Sequence, residues 1–344
     1  MHVLNAQQLS WMMILSLAGF QMILAQEPST KTIRAGMIGL DTSHVPAFAK
    51  FFNNSKAAGD VSGIKIVAGY PGGTDMPASR DRIAGFTDQL REMKIEIVDS
   101  IPALLEKVDV VLIESVDGRI HLREAVPVIR AGKPLWIDKP VAGSLVDAIV
   151  IYELAKKQNV PCFSSSSARF SASLDAVLNN KEIGEIMGAA TWGSCSYSPG
   201  TPDMFFYGIH GIEPLFKIMG TGCDTVSRVQ TPDTDFVTGV WKDGRIGTYR
   251  GIRSGPRGAG ATVFSRKAIL QTEKDSGGYE GICGEIGRFF KSGKAPVSAE
   301  ETIEIFAFME AADESKRQGG MPVSLASVLA KAKSEAAVKL AALK

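Results

Sequence analysis

Ile33-Arg34-Ala35-Gly36-Met37-Ile38-Gly39-Leu40-Asp41-Thr42-Ser43-His44 decides how this chain is read. The run from Ile33 to Gly39 is a short apolar strand ending in a glycine turn. In a dinucleotide-binding βαβ unit that turn continues as G-x-G-x-x-G and opens a helix. Glycine is then required two and five positions after Gly39, where this chain has Asp41 and His44. The second glycine lets a pyrophosphate approach the backbone, and Asp41 puts a carboxylate there instead. Two unit charges ~4 Å apart repel by about 1 kcal/mol in water and about 4 kcal/mol at an effective dielectric near 20. The frame therefore points to a dinucleotide oxidoreductase. Its centre points to a dinucleotide bound differently, weakly or not at all.

Outward from this stretch, short apolar runs alternate with helical spacing. Ile64–Ala68, Ile95–Val98, Val110–Ile113, Leu135–Ile137 and Val160–Phe163 read as further strands. Val45–Ala58, Ile101–Lys107, Leu122–Ala131 and Leu145–Gln158 carry the helical period, with Gly132-Lys133-Pro134 and Asn159 as stops. Strands apolar on both faces and separated by helices predict a doubly wound parallel sheet of the Rossmann type over residues 31–163. After the serine run Ser164–Ser167 the pattern changes. Ala190–Tyr197, Val226–Thr231, Phe236–Lys242, Arg245–Ile252 and Ala261–Ile269 follow one another as strands, two of them across Asp243-Gly244. This predicts an α+β domain with an open antiparallel sheet over 164–323, closed by helices Gly281–Ser292 and Ala299–Gln318. Residues 324–344 read as an Ala/Lys-rich helical tail. The fold class is α/β.

Length and composition agree with two domains. The chain has 344 residues, 45% apolar and 22% charged, with a formal net charge of +1. That balance gives no reason to expect nucleic acid or a membrane surface as a partner. The first 26 residues contain no Asp, Glu, Lys or Arg, and Trp11–Ala25 is an apolar run shorter than the ~20 residues of a membrane span. This reads as a Sec-type signal peptide over residues 1–25, so the mature protein is expected to be periplasmic or secreted. A positive n-region is missing, which leaves an uncleaved anchor or a misplaced start codon as rival readings. There is no twin-Arg pair, so any nucleotide would have to be acquired outside the cytoplasm. Cys162, Cys195, Cys223 and Cys283 form no C-x-x-C pair, and isolated buried thiols are the favoured reading over disulfides.

Val108–Pro140 carries the strongest resemblance. Asp109-Val110-Val111-Leu112-Ile113 leads to His121, then Arg130-Ala131-Gly132-Lys133-Pro134, then Leu135-Trp136-Ile137-Asp138-Lys139-Pro140. This resembles the glucose–fructose oxidoreductase / inositol dehydrogenase / MocA (Gfo/Idh/MocA) family. The likeness extends through Arg169-Phe170, Gly208-Ile209-His210-Gly211-Ile212-Glu213 and Ala311-Ala312-Asp313-Glu314-Ser315. It implies a nicotinamide cofactor, NAD or NADP, and a sugar, sugar acid or cyclitol as substrate. Lys139 matches the family lysine that contacts the substrate hydroxyl, His210 matches the acid–base histidine, and Arg169 falls among the substrate contacts. The family's open sheet implies a homodimer or homotetramer. Gly39, Asp41, Thr42, Ser43, His44, Tyr70, Ser115, His121 and Asp138 stand where the family holds its cofactor.

The departures matter as much. The Asp one helical turn before the acid–base histidine is Phe206 here, leaving Glu213 as a substitute one turn after it. The acid that would hold the adenosine ribose after the second strand is absent from Ala68-Gly69-Tyr70-Pro71-Gly72-Gly73. Each candidate also has a plainer reading. Asp41 or Ser43 can simply cap the following helix, His44 can be a surface residue, His121 can be structural, and Ser164–Ser167 can merely link domains. Asp41, His44, Glu114, Asp117, His121 and Asp138 gather at one sheet edge, but their spacings match no metal motif, and no metal is expected. Two functions remain: an oxidoreductase with a tightly held, internally recycled cofactor, or a carbohydrate-binding protein that has lost its nucleotide.

Overall fold

The computed structural model of the chain describes residues 32–256, 258–273 and 278–343, which form one compact unit. The apolar run Trp11–Ala25 lies outside the described residues, and no helix among those described is long and apolar enough to cross a membrane. β1 (Ile33–Ile38), β2 (Ile64–Tyr70), β3 (Glu96–Ile97), β4 (Val110–Ile113), β5 (Leu135–Ile137) and β6 (Cys162–Ser164) form a sheet in the order β3-β2-β1-β4-β5-β6. Every pairing in it is parallel. β4 and β5 are buried at every residue, as strands covered by helices on both faces must be. Ser100, Ser144 and Ser298 cap the helices they precede by accepting a backbone N–H. Between β1 and β4 the order of strand addition reverses, from leftward to rightward across the sheet, and ligands bind at the carboxyl ends of the strands at such a switch point.

The second sheet holds β7 (Ile186–Ser194), β8 (Cys223–Gln230), β9 (Thr234–Trp241), β10 (Ile246–Ile252), β11 (Gly260–Ser265), β12 (Ile269–Gln271) and β13 (Val323–Ser324). Its order is β12-β11-β7-β10-β9-β8-β13. It is mixed rather than wholly antiparallel, because β10 runs parallel to β7. The cause is helix Ile209–Met219, which returns the chain across the sheet before the β8-β9-β10 meander brings β10 beside β7. Strand alternation alone does not reveal that crossover. On the inner face Phe216, Trp241 and Phe308 pack with ring centroids 5.6–6.4 Å apart. The outer face leaves Val229, Phe236, Val240, Ile246, Phe264 and Ile269 exposed.

Helix Ile209–Met219 is pressed onto β10 at Gly211, where an added Cβ would lie 2.1 Å from the Tyr249 ring. That contact fixes the height of the neighbouring His210 over the sheet. The late motif Ala311–Ser315 has a structural task. Asp313 pairs with the fully buried Arg228, which also reaches Asp235 Oδ1 at 2.8 Å, Asp203 Oδ2 at 2.9 Å and the Tyr197 hydroxyl at 2.8 Å. Ser315 Oγ accepts from Arg228 N at 2.9 Å. The four cysteines form no disulfide. Helix Leu325–Ala342 buries Leu325, Ala332 and Ala336, and Lys339 pairs with Asp147.

Candidate functional site

The chain leaves β5 into Asp138-Lys139, which places the Lys139 ammonium at the carboxyl end of the first sheet. Its Nζ lies 5.4 Å from the centroid of the Tyr207 ring, and that ring lies 5.4 Å from the His210 ring. Lys139 and His210, expected at the reacting carbon, thus share one cleft. His210 Nδ1 is 2.7 Å from Ser166 Oγ, which also accepts from Ala168 N at 3.1 Å. The Ser166 hydroxyl can donate to Nδ1 or accept from it, so Nε2 is left to give or take a proton. Burial, and then the charge of Lys139, hold the His210 pKa well below its ordinary value, which keeps the ring neutral near pH 7. A cavity of about 810 Å³ opens beside it, lined by His210, Trp192, Tyr279, Ser167, Ser171 and Gly260 among others.

His44 is not a surface residue. Its ring stacks on Phe48 at 5.2 Å and meets the edge of Tyr279 at 4.9 Å, and its Nδ1 lies 3.0 Å from Asp138 Oδ2. Asp138 is 2% exposed, and its other oxygen accepts from Lys139 N at 2.8 Å. Burial alone would raise the Asp138 pKa, but His44 and Lys139 hold it below the usual carboxylate range. Glu114, at the end of β4, is fully buried with both oxygens unpartnered. Burial, with Asp138 and Asp41 nearby, drives its pKa well up, so it is a neutral acid.

The turn after β1 departs most from a cofactor cradle. Asp41 is fully buried: Oδ1 accepts from Val116 N at 2.7 Å, and Oδ2 from Ser79 Oγ at 2.5 Å. Asp41 therefore engages its carboxylate in these two bonds and makes no capping bond to the helix that follows. It ties the loops after β1 and β4 to the segment at Ser79. Burial raises its pKa, against those two hydrogen bonds. Ser43 makes no capping bond and lies 3.5 Å from the Tyr279 hydroxyl, while Thr42 Oγ1 accepts from His44 N at 3.2 Å. Gly39 takes φ +82°, and an added Cβ would fall 2.0 Å from Ser115 Oγ. Ser115, expected to face the cofactor, is buried and directs its hydroxyl to Glu124 at 2.8 Å. Tyr70 contributes its backbone oxygen, which accepts from Gly39 N at 3.0 Å. His121 is fully buried, with Nδ1 2.9 Å from Pro140 O and Nε2 2.7 Å from Ser115 O, which is a structural placement. Burial lowers its pKa.

Glu213 does not reach His210 directly. Its carboxylate binds Arg169 Nη1 at 3.2 Å, Ser165 Oγ at 3.1 Å and Ser166 N at 3.3 Å. Glu213 is thus a positioning residue that acts through Ser166, and Arg169 is its buried counter-ion, also paired with Glu301. Burial raises the Glu213 pKa against that pairing. Sequence reasoning missed Tyr207, Tyr279, Ser79 and Glu124. Tyr207 stands three residues before His210, and that spacing was the available signal. Tyr279 precedes a predicted helix by two residues and carries none.

No protein-family model matches the chain, and no curated protein matches it in sequence. Solved structures do match. A probable dehydrogenase from Thermotoga maritima superposes with a TM-score of 0.68 at 20% identity, over 86% of this chain and 100% of that one. The chain has the Gfo/Idh/MocA fold. Scyllo-inositol dehydrogenase from Lactobacillus casei, solved with NAD(H) and scyllo-inositol, shares this fold at TM-score 0.69 and 15% identity, over 86% of this chain and 100% of that one. So does an oxidoreductase from Agrobacterium radiobacter, in complex with NAD+, L-tartaric acid and magnesium, at TM-score 0.66 and 17% identity over 86% and 99%.

Proposed function

We propose that this chain is an enzyme of the Gfo/Idh/MocA kind, acting at a carbinol carbon of a sugar, sugar acid or cyclitol. The observation that carries this reading is the meeting of Lys139, His210 and Ser166 in one cleft beside a cavity of about 810 Å³. The cavity size suits a small polyhydroxylated ligand. Neutral His210 takes the hydroxyl proton on Nε2 while Ser166, held by Glu213, fixes the ring through Nδ1. Lys139 stabilises the oxygen as it becomes anionic. Both tasks are proton and charge chemistry that the side chains of this cleft perform.

Oxidoreduction is the reaction class the fold suggests, with NAD(H) or NADP(H) as the hydride carrier. The residues of this chain do not fit that group at the turn after β1, because the Asp41 carboxylate is buried there, held by Val116 N and Ser79 Oγ. No step is therefore routed through it, and Asp41 favours a second reading, a non-redox carbohydrate site. Titration of the full chain with myo-inositol and D-glucuronate tests the shared part. Binding that His210→Gln weakens by about tenfold or more supports it, and binding indifferent to His210 removes it.

We also propose that the protein is exported, which N-terminal sequencing checks by finding a mature start near Gln26 or Glu27. A second copy covering the outer face at Val229, Phe236 and Ile246 is the assembly this reading favours, and sedimentation of the mature chain tests it.

A further inference from the structure

In a doubly wound sheet, the pyrophosphate of a dinucleotide sits over the glycine turn after β1, at the N-terminus of the following helix. Here that place is filled by the chain itself. The Asp41 carboxylate, with no exposed surface, accepts from Val116 N at 2.7 Å across the crevice and from Ser79 Oγ at 2.5 Å. A protein carboxylate thus answers an N–H on the far wall of the crevice. The first two N–H groups of the turn, Gly39 and Leu40, donate to Tyr70 O at 3.0 Å and Pro71 O at 2.8 Å. The loop after β2 is folded onto Gly39 so closely that a Cβ at Gly72 would sit 3.5 Å from Gly39 Cα. Below, Ser115 takes the space a side chain at Gly39 would need, and its hydroxyl is held by Glu124. No carboxylate stands at the end of β2 to receive a ribose.

We propose that Asp41 is the resident anion of this seat, so that the cleft at Lys139 and His210 binds its carbohydrate-like ligand with no dinucleotide pyrophosphate over Gly39–His44. The proposal rests on the preceding section for the ligand cleft and on Asp41 alone for the closed seat. It goes beyond that section by choosing between its two readings. With no hydride acceptor at hand, Lys139 and His210 are left with proton transfer and oxyanion stabilisation, and the ligand's carbon undergoes no net oxidation.

The test uses the full chain as isolated. After denaturation, the released small molecules are analysed by absorbance and mass for nicotinamide dinucleotides. NADH is titrated calorimetrically into the native wild type, Asp41→Gly and Asp41→Asn. The wild type is expected to release no dinucleotide and to bind NADH negligibly. Asp41→Gly is expected to gain NADH affinity by about tenfold or more, since it removes both the charge and the plug. Asp41→Asn removes the charge but keeps an oxygen for Val116 N, and is expected to gain less NADH affinity than Asp41→Gly; an equal gain in the two variants overturns the plug. Release of stoichiometric NAD(H) by the wild type overturns the proposal even if Asp41→Gly does not fold. Equal NADH affinity in wild type and Asp41→Gly overturns Asp41 as the closing group. Binding of myo-inositol or D-glucuronate only when NADH is present also overturns it. Absence of carbohydrate binding under every condition would instead sink the ligand reading, while the NADH arms still decide the seat.

Discussion

Glu124→Gln isolates one buried carboxyl proton of the crevice. Glu124 is 3% exposed, and among the described residues its carboxyl group hydrogen-bonds to the Ser115 hydroxyl at 2.8 and 2.9 Å. Burial, against the Ser115 bond, pushes its pKa from 4.5 to about 8. The folded state therefore holds this proton more tightly than the unfolded chain, and stability falls as pH rises from 4.5 through about 8. At ~1.4 kcal/mol per pH unit, the loss is about 3 kcal/mol by pH 7 and about 5 kcal/mol above pH 8. Gln matches the shape of the protonated acid and has no proton to lose. Urea denaturation of the wild type and Glu124→Gln, paired at each pH from 5 to 9, cancels the other titrating groups. The two proteins should be nearly equally stable at pH 5, and the variant should pull ahead steadily to about pH 8, then level off. A gap independent of pH, or one that opens towards acid, would refute the reasoning.

Arg228→Met leaves Asp313 buried without its Arg228 partner and Asp235 with Arg253 alone, and breaking such a network costs about 3–5 kcal/mol, read as a lower urea midpoint. Adding Asp235→Asn should recover part of that loss. Gly39→Ala forces a Cβ onto Ser115 at φ +82°, and the clash includes Ser115 N at 2.5 Å and Cα at 2.6 Å, so Ser115→Gly should not restore soluble protein.

The first sheet was legible because its strands are short runs apolar on both faces. β4 and β5 fall on the residues their hydrophobicity marks, Val110–Ile113 and Leu135–Ile137. The mixed second sheet was less so, since the parallel β7/β10 pairing depends on where helix Ile209–Met219 returns the chain. At the site, Lys139 and His210 were legible from motif order. The task of Asp41 was not, because Ser79 and Val116 lie 38 and 75 residues away and hydrogen-bonding across a crevice leaves no local spacing. Glu124 lies inside the helically spaced run Leu122–Ala131, where no local pattern marks it, and its burial under Ser115 depends on the loops after β1, β2 and β4 meeting.

We propose one ligand cleft, built on Lys139 and His210, with no dinucleotide over the turn after β1. A crystal of the full chain grown with both D-glucuronate and NADH tests it most directly. The account predicts carbohydrate density within hydrogen-bonding reach of Lys139 Nζ and His210 Nε2, with Asp41 still on Val116 N. Density for a pyrophosphate over Gly39–His44, with Asp41 swung out of the crevice, would contradict it.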